Sequence, residues 1–262
     1  MPHSAARLLA AVALVISASV AHAADIKVMI SAGFFGVYAE LGPVFEKATG
    51  HKLVTSRGPS VGDSPEAIPA RLSRGEEADV AILDSTGIPP LVARAVVRGE
   101  STMRLAQSRI GMVVRAGAPK PDISTVDKLR ATLLAAKSVA YSDSSSGTYL
   151  STVLFKQLGV DEHVMPKARK VRGPPSGEPV AAVVARGEAE IGFQQVAELI
   201  HVPGVSFVGT VPAEVQPPTY FVGVLTAHSR EPEAATALLR FLSSPDAAPV
   251  IAKAGLTPLD KR

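Results

Sequence analysis

The residues best suited to chemistry recur in one setting. Ser31, Ser60 and the run Ser144, Ser145 and Ser146 each stand in a small-residue stretch between a strand pattern and a helical one. The stretches are Ser31-Ala32-Gly33-Phe34-Phe35-Gly36, Arg57-Gly58-Pro59-Ser60-Val61-Gly62-Asp63 and Ser142-Asp143-Ser144-Ser145-Ser146-Gly147. At the start of a helix the backbone N–H groups lack partners and the dipole is positive, so an anion is favoured there. In α/β sheets such loops leave the carboxyl ends of strands, where ligands bind. Serine is also the ordinary N-cap, so one such loop would mean little. Several in one chain point to an anion site.

Other groups could complete that site. Arg57 and Arg71 can pair carboxylates bidentately, although an exposed arginine is the common case. Gln194 and Gln195 end a strand pattern and add amide donors. Asp84 ends another strand, where a general base could reach a cleft, or where an aspartate could simply cap the next turn. Tyr38 and Tyr149 follow serine loops and could donate to a carboxylate, and Tyr149 equally reads as core. His51, His163, His201 and His228 are scattered singly and read as surface or structural. No cysteine is present, which removes disulfides, thiolate chemistry and Cys-based zinc sites.

The elements that must position these groups alternate strand and helix, which implies parallel sheets covered by helices. Strands are expected at 25–30, 51–56, 78–83, 109–115, 138–141, 190–195, 205–211 and 220–226. The first helix carries Tyr38, Leu41, Val44, Phe45 and Ala48 on one face, with Pro43 predicting a kink or a late start. Ser64 and Pro65 read as the N-cap and first position of the next helix. Ser124-Thr125 caps a helix reaching about Ala136. Residues 178–185 read as helical, and 231–255 as one or two closing helices broken near Pro245.

Composition bounds the class. The 262 residues are 47% hydrophobic and 19% charged, which supports a packed core and argues against disorder. Net charge is +3, spread without any block of like charges, and aromatics are only 5%, so nucleic acid is a poor partner. A weakly positive surface suits a small anion. Residues 1–23 read as a secretory signal: Arg7, then the apolar run from Leu8 to Val20, then Ala21-His22-Ala23 as the cleavage site. That run is too short to span a bilayer well, and no later stretch reaches about 18 apolar residues. The expected product is an exported protein beginning at Ala24, not embedded in a membrane, with the bacterial periplasm as its address.

In order and spacing these features resemble the periplasmic substrate-binding proteins of the molybdate-binding type. The carriers are the serine loops, Ala78-Asp79-Val80, Ser145 to Tyr149, Glu190-Ile191-Gly192 and Phe241-Leu242-Ser243-Ser244-Pro245 before a final helix. The resemblance implies a two-lobed type II binding-protein fold, each lobe a mostly parallel sheet flanked by helices, closing over an anion. It implies one lobe at 24–107 plus 220–262 and the other at 108–219. Two departures bear on the ligand. Molybdate binders of this type offer a tyrosine just after the Glu-Ile-Gly-like strand, where this chain has Gln194-Gln195. The second loop carries Arg57 instead of only small residues. Both suit a planar, multi-carboxylate ligand better than a compact oxyanion.

Ser31-x-Gly33-Phe34, Gly58-Pro59-Ser60, Ile68-Pro69-x-Arg71-Leu72, Tyr141-Ser142-Asp143-Ser144 and Gly192-Phe193-Gln194-Gln195 look like an isomerase branch of this family. That branch interconverts trans- and cis-aconitate. The resemblance implies a substrate-binding set of Ser31, Gly33, Phe34, Arg57, Ser60, Arg71, Ser144, Ser145, Ser146, Gly147, Gln194 and Gln195, with Asp84 and Tyr149 as candidate catalytic residues. It implies no metal and no redox cofactor: one acid/base could take a methylene proton and return it at the far carbon. The alternative is a receptor for an ABC importer, delivering an oxyanion or a di- or tricarboxylate to a permease.

Overall fold

The computed structural model describes residues 23–259. The export-signal reading rests almost wholly on residues 1–22, which lie outside the described residues. Ten strands are described: β1 Asp25–Ile30, β2 Lys52–Arg57, β3 Val80–Asp84, β4 Met103–Ser108, β5 Ile110–Arg115, β6 Val139–Ser142, β7 Ala168–Val171, β8 Ile191–Gln195, β9 Val205–Thr210 and β10 Thr219–Leu225. They form two five-stranded sheets, in the orders β2-β1-β3-β10-β4 and β7-β6-β8-β5-β9. Each sheet is the centre of one lobe.

Both sheets are sandwiched, and alternation along the strands shows it. Ile26, Val28 and Ile30 face a cluster with Phe34, Phe45 and Leu238, while Met29 faces a cluster with Ile68, Leu72 and Leu91 on the other side. In the second lobe Met112 and Val114 pack with Leu129, Leu133, Phe155 and Phe193, while Val113 packs with Val180 and Val184.

In each sheet four of the five strands run one way, as expected, and the fifth is reversed. β1 pairs with β2 and β3 in parallel, and β6 pairs with β7 and β8 in parallel. β10 and β5 each make two antiparallel pairings with their neighbours. The direction follows from the crossovers. β4 and β5 are separated by Arg109 alone, so one extended run leaves the first sheet and enters the second. The chain returns through residues 211–218 into β10.

Local departures from the sequence expectations have physical causes. The first helix, Ala32–Thr49, begins directly after Ser31 and runs through Pro43. Pro43 and Ala39 both lie on the exposed side, where the carbonyl released by proline meets water. The buried face is Phe34, Val37, Tyr38, Leu41 and Phe45, so Val44 and Ala48 are exposed. The second helix, Ile68–Ser73, starts later than Ser64 because Pro69 is tolerated only in a first turn. Ser64 Oγ instead accepts from the Glu66 N–H in the preceding turn. β4 and β7 were not expected; β4 is broken by Arg104 and Gln107, and β7 is a short polar edge. Thr125 caps the Val126–Ala135 helix as expected, accepting from the Lys128 N–H.

The third serine loop depends on a glycine. A Cβ at Gly147 would sit 1.7 Å from the Ser142 carbonyl oxygen, a backbone atom that cannot turn away. This close approach lets the Ser145–Tyr149 helix fold back on the end of β6, with the Gly147 N–H donating to Ser142 Oγ at 3.3 Å. Gly147→Ala is expected to destabilise the protein by about 1–3 kcal/mol through overpacking, read as a lower urea midpoint with an unchanged slope.

Candidate functional site

The loops leaving β1, β2, β6, β7 and β8 meet between the lobes. Ser31, Gly33, Pro59 and Ser60 line one wall; Asp143, Ser144, Ser145, Pro174, Gln194, Gln195 and Glu198 line the other. Two surface contacts cross the mouth: the Ser176 hydroxyl donates to Glu66, and Lys170 lies 3.9 Å from Asp63. The enclosed space is about 20 Å³, on the order of one water's cavity. This is a closed cleft.

Three buried side-chain atoms have no hydrogen-bond partner among the described residues: Ser31 Oγ, Arg57 Nε and Gln195 Nε2. Ser31 and Gln195 line the cleft directly. Arg57 ends β2 at its rim, its guanidinium carbon 4.1 Å from the Phe35 ring centroid. Buried polar groups are normally satisfied, and leaving one bare costs on the order of 1–3 kcal/mol. Ser31 sits at the N-cap of an 18-residue helix yet makes no capping bond with its side chain. Its hydroxyl and that helix terminus therefore stay free.

The amides are oriented by the fold. Gln195 Oε1 accepts from Ser108 Oγ at 2.6 Å, which points Nε2 away and ties β8 to the end of β4 beside the crossover. Gln194 Oε1 accepts from the Val180 N–H at 2.9 Å, so its Nε2 donates to Glu198 Oε2 at 2.6 Å. Ser60 Oγ accepts from the Asp84 N–H at 2.9 Å and keeps its own proton to give.

Glu198 is the residue that sequence reasoning missed. It sits in the short Val196–Leu199 helix after β8, one turn beyond Gln194. Burial pushes its carboxyl up to about 7 from 4.5, and the charge of Asp143 adds to the rise; the Gln194 hydrogen bond and Arg57 pull the other way. Burial also lowers the Arg57 guanidinium, with Glu198 opposing. No local spacing marked it, because Gln194 ends β8 while Glu198 lies in the helix that follows. Asp143 was visible within its loop but was not singled out; its Oδ1 accepts from the Gly173 N–H at 3.1 Å.

Other expected site residues are placed elsewhere. Phe34 turns its ring into the core beside Phe221 and can offer the cleft only backbone. Asp84 caps the next turn, its Oδ1 accepting from the N–H and hydroxyl of Thr86. It does not line the cleft. Tyr149 donates its hydroxyl to the Val215 carbonyl at 2.6 Å, and burial raises its pKa. Tyr38 is bonded to Thr55 Oγ1 at 2.6 Å, with burial pushing it up to about 12. Arg71 pairs with Glu76 and donates to the Arg57 carbonyl at 2.9 Å, so it braces the loop from behind. Ser146 bonds Ser142 at 2.9 Å beneath the cleft floor, and Gly147 lies beside it. A larger cavity of about 420 Å³ in the first lobe is ringed by charges that already pair, Lys27 and Arg230 with Glu77.

The chain belongs to the bacterial extracellular solute-binding protein family, whose model matches residues 26–257. A curated relative, aconitate isomerase of Pseudomonas sp., is 49% identical over 88% of this chain and 87% of that protein. The molybdate-binding protein ModA of Azotobacter vinelandii is 27% identical over 96% of this chain and 97% of its own. In structure, the periplasmic molybdate-binding protein of Azotobacter vinelandii superposes with a TM-score of 0.70 at 23% identity, covering 90% of this chain and all of that one. The sulfate-binding protein SubI of Mycobacterium tuberculosis gives 0.69 at 20% identity, covering 91% and 88%. Among the described residues no helix is long and apolar enough to cross a membrane.

The raised Glu198 pKa links stability to pH. The folded state holds a proton that the unfolded chain releases near 4.5, so stability falls as pH rises from about 4.5 towards 7. Glu198→Gln is expected to remove that part of the fall, raising the melting temperature at pH 8 more than at pH 5.

Proposed function

We propose that this chain is a periplasmic aconitate isomerase, exported by a signal cleaved after Ala23, that interconverts trans- and cis-aconitate without a cofactor. The carrying observation is two buried, unpartnered donors lining one closed cleft, Ser31 Oγ and Gln195 Nε2, with a third, Arg57 Nε, on the residue before the lining Gly58. They are donors in search of acceptors, and a tricarboxylate brings six carboxylate oxygens. The 49% identity to an aconitate isomerase supports the same reading.

The geometry suits catalysis as well as capture. A tricarboxylate is far larger than 20 Å³, so the lobes must part to admit it and close to hold it. Motion would centre on Arg109 and residues 211–218. Closure would replace the substrate's hydration shell with fixed hydroxyls, amides and the Arg57 charge. Those donors would also stabilise negative charge spreading from carbon into a carboxylate during proton transfer.

Purified protein mixed with trans-aconitate is expected to yield cis-aconitate, followed by chromatography or ultraviolet absorbance. Tight binding of molybdate or tungstate with no turnover of any unsaturated tricarboxylate would instead identify a transport receptor. Arg57→Ala is expected to weaken trans-aconitate binding roughly 10-fold or more, the loss of charge-assisted hydrogen bonds, measured by calorimetry. Unchanged affinity would remove Arg57 from the site.

A further inference from the structure

We infer that Glu198 is the catalytic acid/base of this cleft, taking a proton from the substrate methylene and returning it at the far carbon of the allylic system. This rests on the isomerase reading above.

Position singles Glu198 out. Two acidic side chains line the cleft, Glu198 and Asp143. Asp143 also has one bonded oxygen, Oδ1 accepting from the Gly173 N–H, but that bond is to backbone and anchors the β6 loop to the β7 loop, whereas Glu198 is held by the Gln194 side chain and attracted by Arg57. Glu198 has one oxygen held by Gln194 Nε2, while its Oε1 makes no hydrogen bond among the described residues. One oxygen fixed and one free is the arrangement a proton carrier needs: the bond to Gln194 sets the orientation and leaves the other oxygen of this cleft-lining residue for the substrate. Gln194 cannot swing away, because its other end is held by the Val180 N–H.

The surroundings fit the same role. Arg57 on β2 attracts the Glu198 carboxylate, Asp143 repels it, and Gln194 on β8 donates to it. Burial and Asp143 outweigh the other two, leaving a carboxyl that can both accept and return a proton near neutral pH.

The step balances without a co-reactant. The Glu198 carboxylate removes one methylene proton. The C–H electron pair becomes the new double bond to the central carbon, and the old double bond's electrons shift to the outer carbon. That carbon takes the proton back from the Glu198 carboxylic acid. The two outer arms have exchanged identities, so the product has the same connectivity, and the conformation about the former single bond as the proton leaves sets the new double bond's geometry. One carboxyl serves both ends and is regenerated.

The test uses the full mature chain. Glu198→Gln is expected to lower kcat at least 100-fold, with the Kd for trans-aconitate within about 3-fold of wild type by calorimetry. Glu198→Asp is expected to recover part of the activity and to move the rising limb of the kcat/KM against pH profile. Trans-aconitate deuterated at its methylene is expected to show a primary isotope effect, with the label transferred to the other arm or lost to solvent. Activity of Glu198→Gln within 10-fold of wild type would overturn the assignment. So would retention of both deuteriums on their original carbon without an isotope effect. If Glu198→Gln does not fold, a folded Glu198→Asp with wild-type kcat and an unmoved pH limb would overturn it equally. Wild-type protein that turns over no aconitate would instead defeat the isomerase reading itself.

Discussion

The closed cleft depends on donors that the protein leaves unsatisfied. Ser31 Oγ, Arg57 Nε and Gln195 Nε2 are buried with nothing to bond, and burial of bare polar groups is unfavourable. The fold carries this strain because each donor is attached to something rigid. Ser31 begins a long helix packed on the first sheet. Gln195 is locked by Ser108 across the crossover, and Arg57 rests on Phe35. The cleft is thus pre-organised for an anion, and association need not order these groups afresh.

The same economy of position extends to the second lobe. Gln194 and Gln195 are adjacent, so in a strand they point to opposite sides. One reaches the crossover through Ser108, and the other reaches Glu198. A single strand end thereby sets both an anion donor and a carboxyl. Arg71 contributes at one remove, bracing the Arg57 loop while its own charge is spent on Glu76.

Family and chemistry sit close together here. The structural neighbours include molybdate- and sulfate-binding proteins at 23% and 20% identity, which speaks for the fold alone. Under the proposed isomerase reading, the step beyond capture falls to one ionisable group, Glu198, which lines the same cleft as the donors. In this cleft the receptor-like donors and the carboxyl of Glu198 share the same walls, and binding and chemistry would use one closure.

The sequence by itself determined the strand–helix alternation and the serine loops at strand ends. These are local matters: hydrophobic period and capping chemistry are written in residues a few positions apart. Tertiary structure decided which of those residues look into the cleft. Phe34, Asp84, Tyr149 and Arg71 have the right types in the right segments, yet packing, a turn, a distant carbonyl and an ion pair claim them. Glu198 stood in a short helix with no motif to mark it. Its significance comes from burial and from Arg57, Asp143 and Gln194, of which only Gln194 is near it in the chain. The strands β5 and β10 were expected, but their reversed direction was hidden for the same reason, because strand direction is set by where the chain crosses between lobes, and no local pattern encodes that.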